Sequence, residues 1–302
     1  MFALAAQPGS AAPRAAGRTA EPVIHIEDVA RFYEVYDAAR GHPTAEALQR
    51  DYIDPGSPGL RHLQEIRHVT GATIAAAIAA HPEIYANAKR CLPVLPRVRG
   101  RVATALHRLG GLYAKAVFPP VTVVITRGKP AGVADAAGVI IGLDPLCALT
   151  YLNRDIEERF VHAIAHEYIH VQQAKQSPAF YDDPKPTVLE ITLIEGAAEF
   201  VATRIAGEES FQSPYAPANR ADDAAVESRF VADEDDTDTS KWVGDGTLTT
   251  PGDLGYWIGY RIVESYYERA ADKRQALRDI IEIHDPKAFL ARSGWHPGAP
   301  LP

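Results

Sequence analysis

His166, Glu167 and His170 occur in the run His166-Glu-Tyr-Ile-His170. On an α-helix, positions i and i+4 lie about 40° apart around the axis and about 6 Å along it, so both imidazoles can reach one metal ion. Glu167 stands one position round from His166, where its carboxylate can lie beside the ion without binding it and accept a proton from water. Two imidazoles plus a carboxylate suit zinc, and a catalytic zinc keeps a fourth position for solvent. A third protein ligand is therefore required. The longer HExxHxxGxxH pattern is absent, because Gln173 occupies its glycine position. Instead, after 24 intervening residues (171–194) comes Glu195-Gly-Ala-Ala-Glu199. Gly196, Ala197 and Ala198 are small enough to let one helix press on another, which makes Glu195 the expected ligand. Glu199, one turn on, is placed to accept the N–H of a ligating histidine and fix its tautomer. The reverse assignment, with Glu199 on the metal, stays open. Leu193, Ile194, Ala197 and Phe200 flank the pair, and carboxylates in so apolar a setting need partners. His162 precedes His166 by four residues, but Ala163 stands where a base would be needed, so His162 is assigned to packing or support.

The elements that must carry these residues are partly legible. Asn153 or Asp155 can cap a helix with an acidic first turn that runs to about Lys175. Thr187-Val-Leu-Glu190 forms a capping box opening a second helix, to about Ala206. Thr250-Pro251 is expected to start a third. Its Tyr256, Tyr260, Val263 and Tyr267 share a face, and Gly255 and Gly259 form a smooth strip. One tyrosine there can steady the oxyanion of a tetrahedral intermediate. Tyr260 is the expected donor, with Arg261 and Tyr256 behind it and plain core packing as the competing reading. Ahead of the histidines, Val121–Thr126 and Gly138–Leu143 read as strands within a hairpin's reach. Residues 1–20 read as a flexible arm, 21–110 as a helical region, and 111–302 as the metal-binding domain. Within it, 207–249 reads as an excursion over the surface; its acidic run, Asp233 to Asp238, lacks the glycine and glutamate spacing of a calcium loop. The fold class is α+β, mainly helical with a small mixed or antiparallel sheet.

The motif HEYIH followed by a helix bearing EGAAE resembles the gluzincin class of zinc metallopeptidases. More narrowly, residues from about Gly132 to Trp295 resemble a bacterial family of predicted zinc-dependent proteases of unknown substrate. The likeness is carried by Gly138-Val-Ile-Ile-Gly-Leu-Asp144, by HEYIH, by Glu195-Gly-Ala-Ala-Glu199 and by Gly255-Tyr-Trp-Ile-Gly-Tyr-Arg-Ile262. The resemblance implies a zincin-like fold, with an upper lobe whose sheet edge pairs with an extended peptide and a helical lower lobe that completes the metal site. The implied activity is hydrolysis of peptide bonds in a peptide or protein substrate, with one Zn²⁺ as cofactor. A catalytically inactive zinc-binding interaction module on the same fold is the alternative.

Composition agrees with a folded chain and narrows its partners. Of 302 residues, 46% are hydrophobic, and 31 basic against 39 acidic residues give a net charge of −8. With no basic window to release counterions, nucleic acid is excluded as a partner. No apolar run approaches the length of an integral membrane segment. Cys91 and Cys147 are compatible with one bridge or with two buried thiols. Ala3-Leu4-Ala5 resembles the end of an export signal, which favours an exported or periplasmic location over a cytoplasmic one. Oligomeric state is left open.

Overall fold

Short β-branched runs and capped amphipathic segments assemble here around one long helix. The computed structural model describes residues 23–149, 151–207, 214–217, 222–244, 246–247 and 252–299. The arm expected at 1–20 lies outside the described residues. Four strands, β1 (Ile24–His25), β2 (Val121–Val124), β3 (Gly132–Asp135) and β4 (Gly138–Gly142), form a sheet in the order β1-β2-β4-β3. β1 and β4 both run parallel to β2, and β3 returns antiparallel to β4 with Gly132 opposite Ile141 and Asp135 opposite Gly138. This corrects the expected hairpin. The two β-branched runs are parallel neighbours, and the hairpin partner of β4 is the intervening Gly-Val-Ala-Asp segment. The continuous burial of β2 and most of β4 is typical of parallel strands covered on both faces.

Helices α1 (Glu27–Ala38), α2 (Ala45–Leu48), α3 (Pro58–Arg67), α4 (Gly71–Ala80), α5 (Pro82–Ala88) and α6 (Leu95–Leu112) occupy the stretch expected to be helical. After β4 come α7 (Leu143–Ala148) and the long α8 (Ile156–Gln176), which starts where the Asp155 carboxylate accepts the Glu158 N–H at 2.9 Å. Past α9 (Pro178–Tyr181), α10 (Val188–Ala206) opens on the expected capping box. Thr187 Oγ1 accepts the Glu190 N–H and Glu190 accepts the Thr187 N–H. Then follow α11 (Asp223–Asp233), α12 (Leu254–Arg269), α13 (Lys273–Ile281) and α14 (Pro286–Ser293).

Two further expectations change. α12 begins at Leu254, while Thr250 and Pro251, the expected start, lie outside the described residues: Asp253, in the left-handed region at φ 58°, precedes the helix, and its carboxylate turns back to accept the Gly244 N–H. The 207–249 stretch also contains α11, whose Val226 and Phe230 are buried; the Phe230 ring meets Trp242 and Trp295. Only two apolar residues carry that packing, too few to show a period.

α8 lies between two apolar cores. Phe160, Val161, Ile164, Tyr168 and Val171 face one built from α1–α6, α7 and the sheet. Ala165 and Ile169 face another built from α10, α12, α13 and α14. A Cys91–Cys147 disulfide ties the segment before α6 to α7 on the sheet side. On the other side α10 and α12 touch through glycine. A Cβ on Gly196 would lie 2.1 Å from the Gly259 carbonyl carbon, and one on Gly259 would lie 2.0 Å from Thr192 O. Among the described residues no helix is long and apolar enough to cross a membrane.

Candidate metal centre and its cleft

His166 and His170 stand one turn apart on the buried length of α8, and their Nε2 atoms lie 3.0 Å apart. The close contact of α10 brings Glu195 Oε2 to 3.2 Å from each of them. Four-coordinate zinc, with bonds of about 2.0 Å, holds its ligand atoms about 3.3 Å from one another, so the three converging atoms fit such an ion without rearrangement. Their far sides are also fixed. Glu199 Oε2 sits 3.0 Å from His166 Nδ1, and Gln173 Oε1 sits 2.7 Å from His170 Nδ1. Gln173 in turn donates to the Ile194 carbonyl at 3.0 Å. The nitrogens that the two histidines turn toward each other thus meet Glu195, while Glu199 meets the opposite nitrogen of His166. His162 adds a second contact to the same Glu199 oxygen, at 3.1 Å. Its spacing was visible in the sequence, but the carboxylate it meets was not. Gln173 drew notice there only as a missing glycine; its position three residues past a histidine was the available signal.

Charge is balanced inside this cluster. Burial by itself would raise the Glu195 and Glu199 carboxyls, but the facing imidazoles override it: Glu195 is held far below the usual range and Glu199 is lowered to about 2. Burial would likewise lower His166, yet its bonds to Glu195 and Glu199 lift it to about 10, and Glu195 also raises His170. Imidazoles and carboxylates thus face one another across the gap where a divalent cation would compete with protons for the same nitrogens. Glu167 differs. Desolvation dominates and raises its carboxyl, and its Oε2 is buried with no hydrogen-bond partner among the described residues. Its other oxygen presses on β3: a Cβ on Gly132 would lie 2.2 Å from it.

The tyrosines of α12 are placed differently from expectation. Tyr256, not Tyr260, covers the centre. Its ring stacks on His166 at 5.8 Å and 15°, and burial, then the nearby Glu195 carboxylate, hold its hydroxyl well above the usual range. Tyr260, one turn further along the axis, packs on Phe200 and meets Arg204. Arg261 points elsewhere, to Glu227 at 2.8 Å and the Ala299 carbonyl.

A cleft of about 440 Å³ opens onto His162, His166, Glu167 and Tyr256. One wall is the segment Gly128–Gly132, and another carries Leu146, Leu149 and Leu152. The first wall is held by the buried Asp144 carboxylate, which accepts the N–H groups of Thr126 at 2.7 Å and Gly128 at 2.9 Å.

Comparison with known proteins accords with this geometry. Residues 137–281, just under half of the chain, are similar to a family described as "Predicted Zn-dependent protease (DUF2268)". That span covers both α8 and α10. Neither the curated proteins nor the solved structures hold a match to this chain.

Proposed function

We propose that this chain is a zinc-dependent peptidase in which His166, His170 and Glu195 hold one ion and Glu167 is the general base. The observation that carries the proposal is the meeting of three donor atoms within 3.2 Å of one another beside a buried carboxylate oxygen that lacks a partner among the described residues. Zinc held there would supply Lewis acidity, lowering the pKa of a water and polarising a carbonyl.

The chain's own groups then have defined work. The register of β3 leaves the backbone N–H and C=O of Gly132 and Ala134 facing away from β4, since Gly142 N–H bonds Ala131 O. A peptide can add there as a further strand. Glu167, touching Gly132, takes a proton from the attacking water and returns it to the leaving amine as the C–N bond breaks. Tyr256 donates its hydroxyl hydrogen to the carbonyl oxygen as negative charge develops. Glu199, backed by His162, and Gln173 keep the two imidazoles aimed. The disulfide supports an exported or periplasmic site of action, because such bridges persist in oxidising compartments.

The test is Glu167→Gln in zinc-loaded protein. Retained zinc with a turnover loss of roughly a hundredfold or more supports the base. Unchanged turnover would remove Glu167 from the chemistry. A wild-type protein that binds zinc but hydrolyses no peptide would favour the interaction module instead.

A further inference from the structure

The peptide-binding edge is open on one side of Glu167 and closed on the other. From Gly132 the cleft runs back past Pro130 and Lys129 toward Leu146 and Leu152. In the other direction, two residues along β3, the Tyr181 hydroxyl bonds the Ala134 carbonyl at 2.8 Å. That carbonyl is the one an added strand would use next. Tyr181 is no loose side chain, because its ring packs on His170 at 5.6 Å. Just beyond, Asp135 is bonded by His62 at 2.5 Å and by the Ala137 N–H at 2.7 Å, which ends the strand.

At about 3.4 Å per residue, the distance from Gly132 to the Tyr181 barrier admits one or two residues of an added strand. Pairing antiparallel to β3 directs the N-terminal end of that strand toward Ala134 and the C-terminal end toward Lys129. Two carboxylates outside the proposed metal centre, Asp135 at the end of β3 and Asp182 next to Tyr181 in the chain, lie at the closed end. An α-ammonium is stabilised there and an α-carboxylate is repelled.

From this closed edge we infer that the chain trims peptides from a free N-terminus, with Tyr181 as the specificity-determining wall. The inference rests on the peptidase reading above. In the step, water oxygen bonds to the carbonyl carbon of the first or second residue and the C–N bond that follows it breaks. The proton taken by Glu167 passes to the new amine of the shortened peptide.

The experiment uses the zinc-loaded full chain and one ten-residue sequence in four forms: free, N-acetylated, C-amidated and head-to-tail cyclic, followed by mass spectrometry. Loss of one or two N-terminal residues from the free and amidated forms only is the expected result. An internal cut in the acetylated or cyclic peptide would overturn the inference while leaving the peptidase intact. No cut in any form would overturn both. As a readout independent of turnover, Glu167→Gln protein is titrated with the free and acetylated forms, and the free form is expected to bind at least about tenfold more tightly; equal affinity would contradict the ammonium site. Tyr181→Ala, checked for zinc content and helicity, is expected to cut the acetylated peptide internally, and Tyr181→Phe, which keeps the ring, is not. If Tyr181→Ala retains the wild-type product pattern, Tyr181 is not the wall.

Discussion

The two cores that flank α8 are tied together at different points. On the sheet side, large residues interlock, as Phe32 does with Tyr33, Tyr36 and Tyr52, and the Cys91–Cys147 bridge adds a covalent tie. On the helix side, α10 and α12 meet where side chains are missing, at Gly196 and Gly259. The sheet side presents the β3 edge that we propose for substrate. The helix side delivers Glu195 to the two imidazoles and allows no added atom. The placing of Glu195 at the proposed metal centre thus depends on close backbone approach, and a cross-link ties the frame on the sheet side.

Removing the bridge is the most severe challenge to the sheet side. Cys91 and Cys147 are 56 residues apart, and opening a loop of that length costs about 4 kcal/mol in the chain-entropy account. Cys91→Ala/Cys147→Ala protein should therefore melt at markedly lower temperature yet carry wild-type zinc when folded. Loss of zinc at a temperature where the fold persists would erase the distinction between the cores. The helix side should respond in the opposite way. Gly196→Ala drives a methyl into the Gly259 backbone and should cost about 3 kcal/mol while also displacing Glu195, so zinc affinity falls with stability. An Ala variant that binds zinc as wild type does would show that the close approach is incidental.

Asp144 gives the sheet side a pH dependence. Burial raises its carboxyl from 3.8 to about 6 despite the N–H groups of Thr126 and Gly128. The folded form then binds its proton before the unfolded form does, so stability attributable to Asp144 increases as pH falls from about 6 toward 4 and is lost again as pH rises through 6. Measured against Asp144→Asn, the gain should be on the order of 2 kcal/mol by denaturant unfolding; a flat difference across that window would refute the assignment. The smallest effect is expected back at the helix side. Gln173→Leu frees His170 Nδ1 and should weaken zinc about tenfold in chelator competition, with little change in melting temperature. An unchanged affinity would remove Gln173 from the support of the site.

How much of this was readable beforehand follows local physics. The starts of α8 and α10 were legible because Asp155, Thr187 and Glu190 cap through bonds three residues long. The convergence of His166, His170 and Glu195 was legible because helical spacing and small residues set it. The α12 tyrosine was not. Tyr256 and Tyr260 share a face, and only their height along the axis, fixed by where α12 rests on α10, decides which one covers His166. β3 was hidden because Gly132-Val-Ala-Asp135 lacks a β-branched run, and its partner choice is tertiary. The cysteine pairing across 56 residues was equally out of local reach.

Elemental analysis of protein saturated with zinc and then freed of excess ion tests the central claim most directly. Wild type and Glu167→Gln should each retain one zinc per chain, and His166→Ala and Glu195→Ala should retain almost none while remaining folded by circular dichroism. A wild-type protein that comes through empty, or a Glu195→Ala protein that keeps its zinc, would contradict the account.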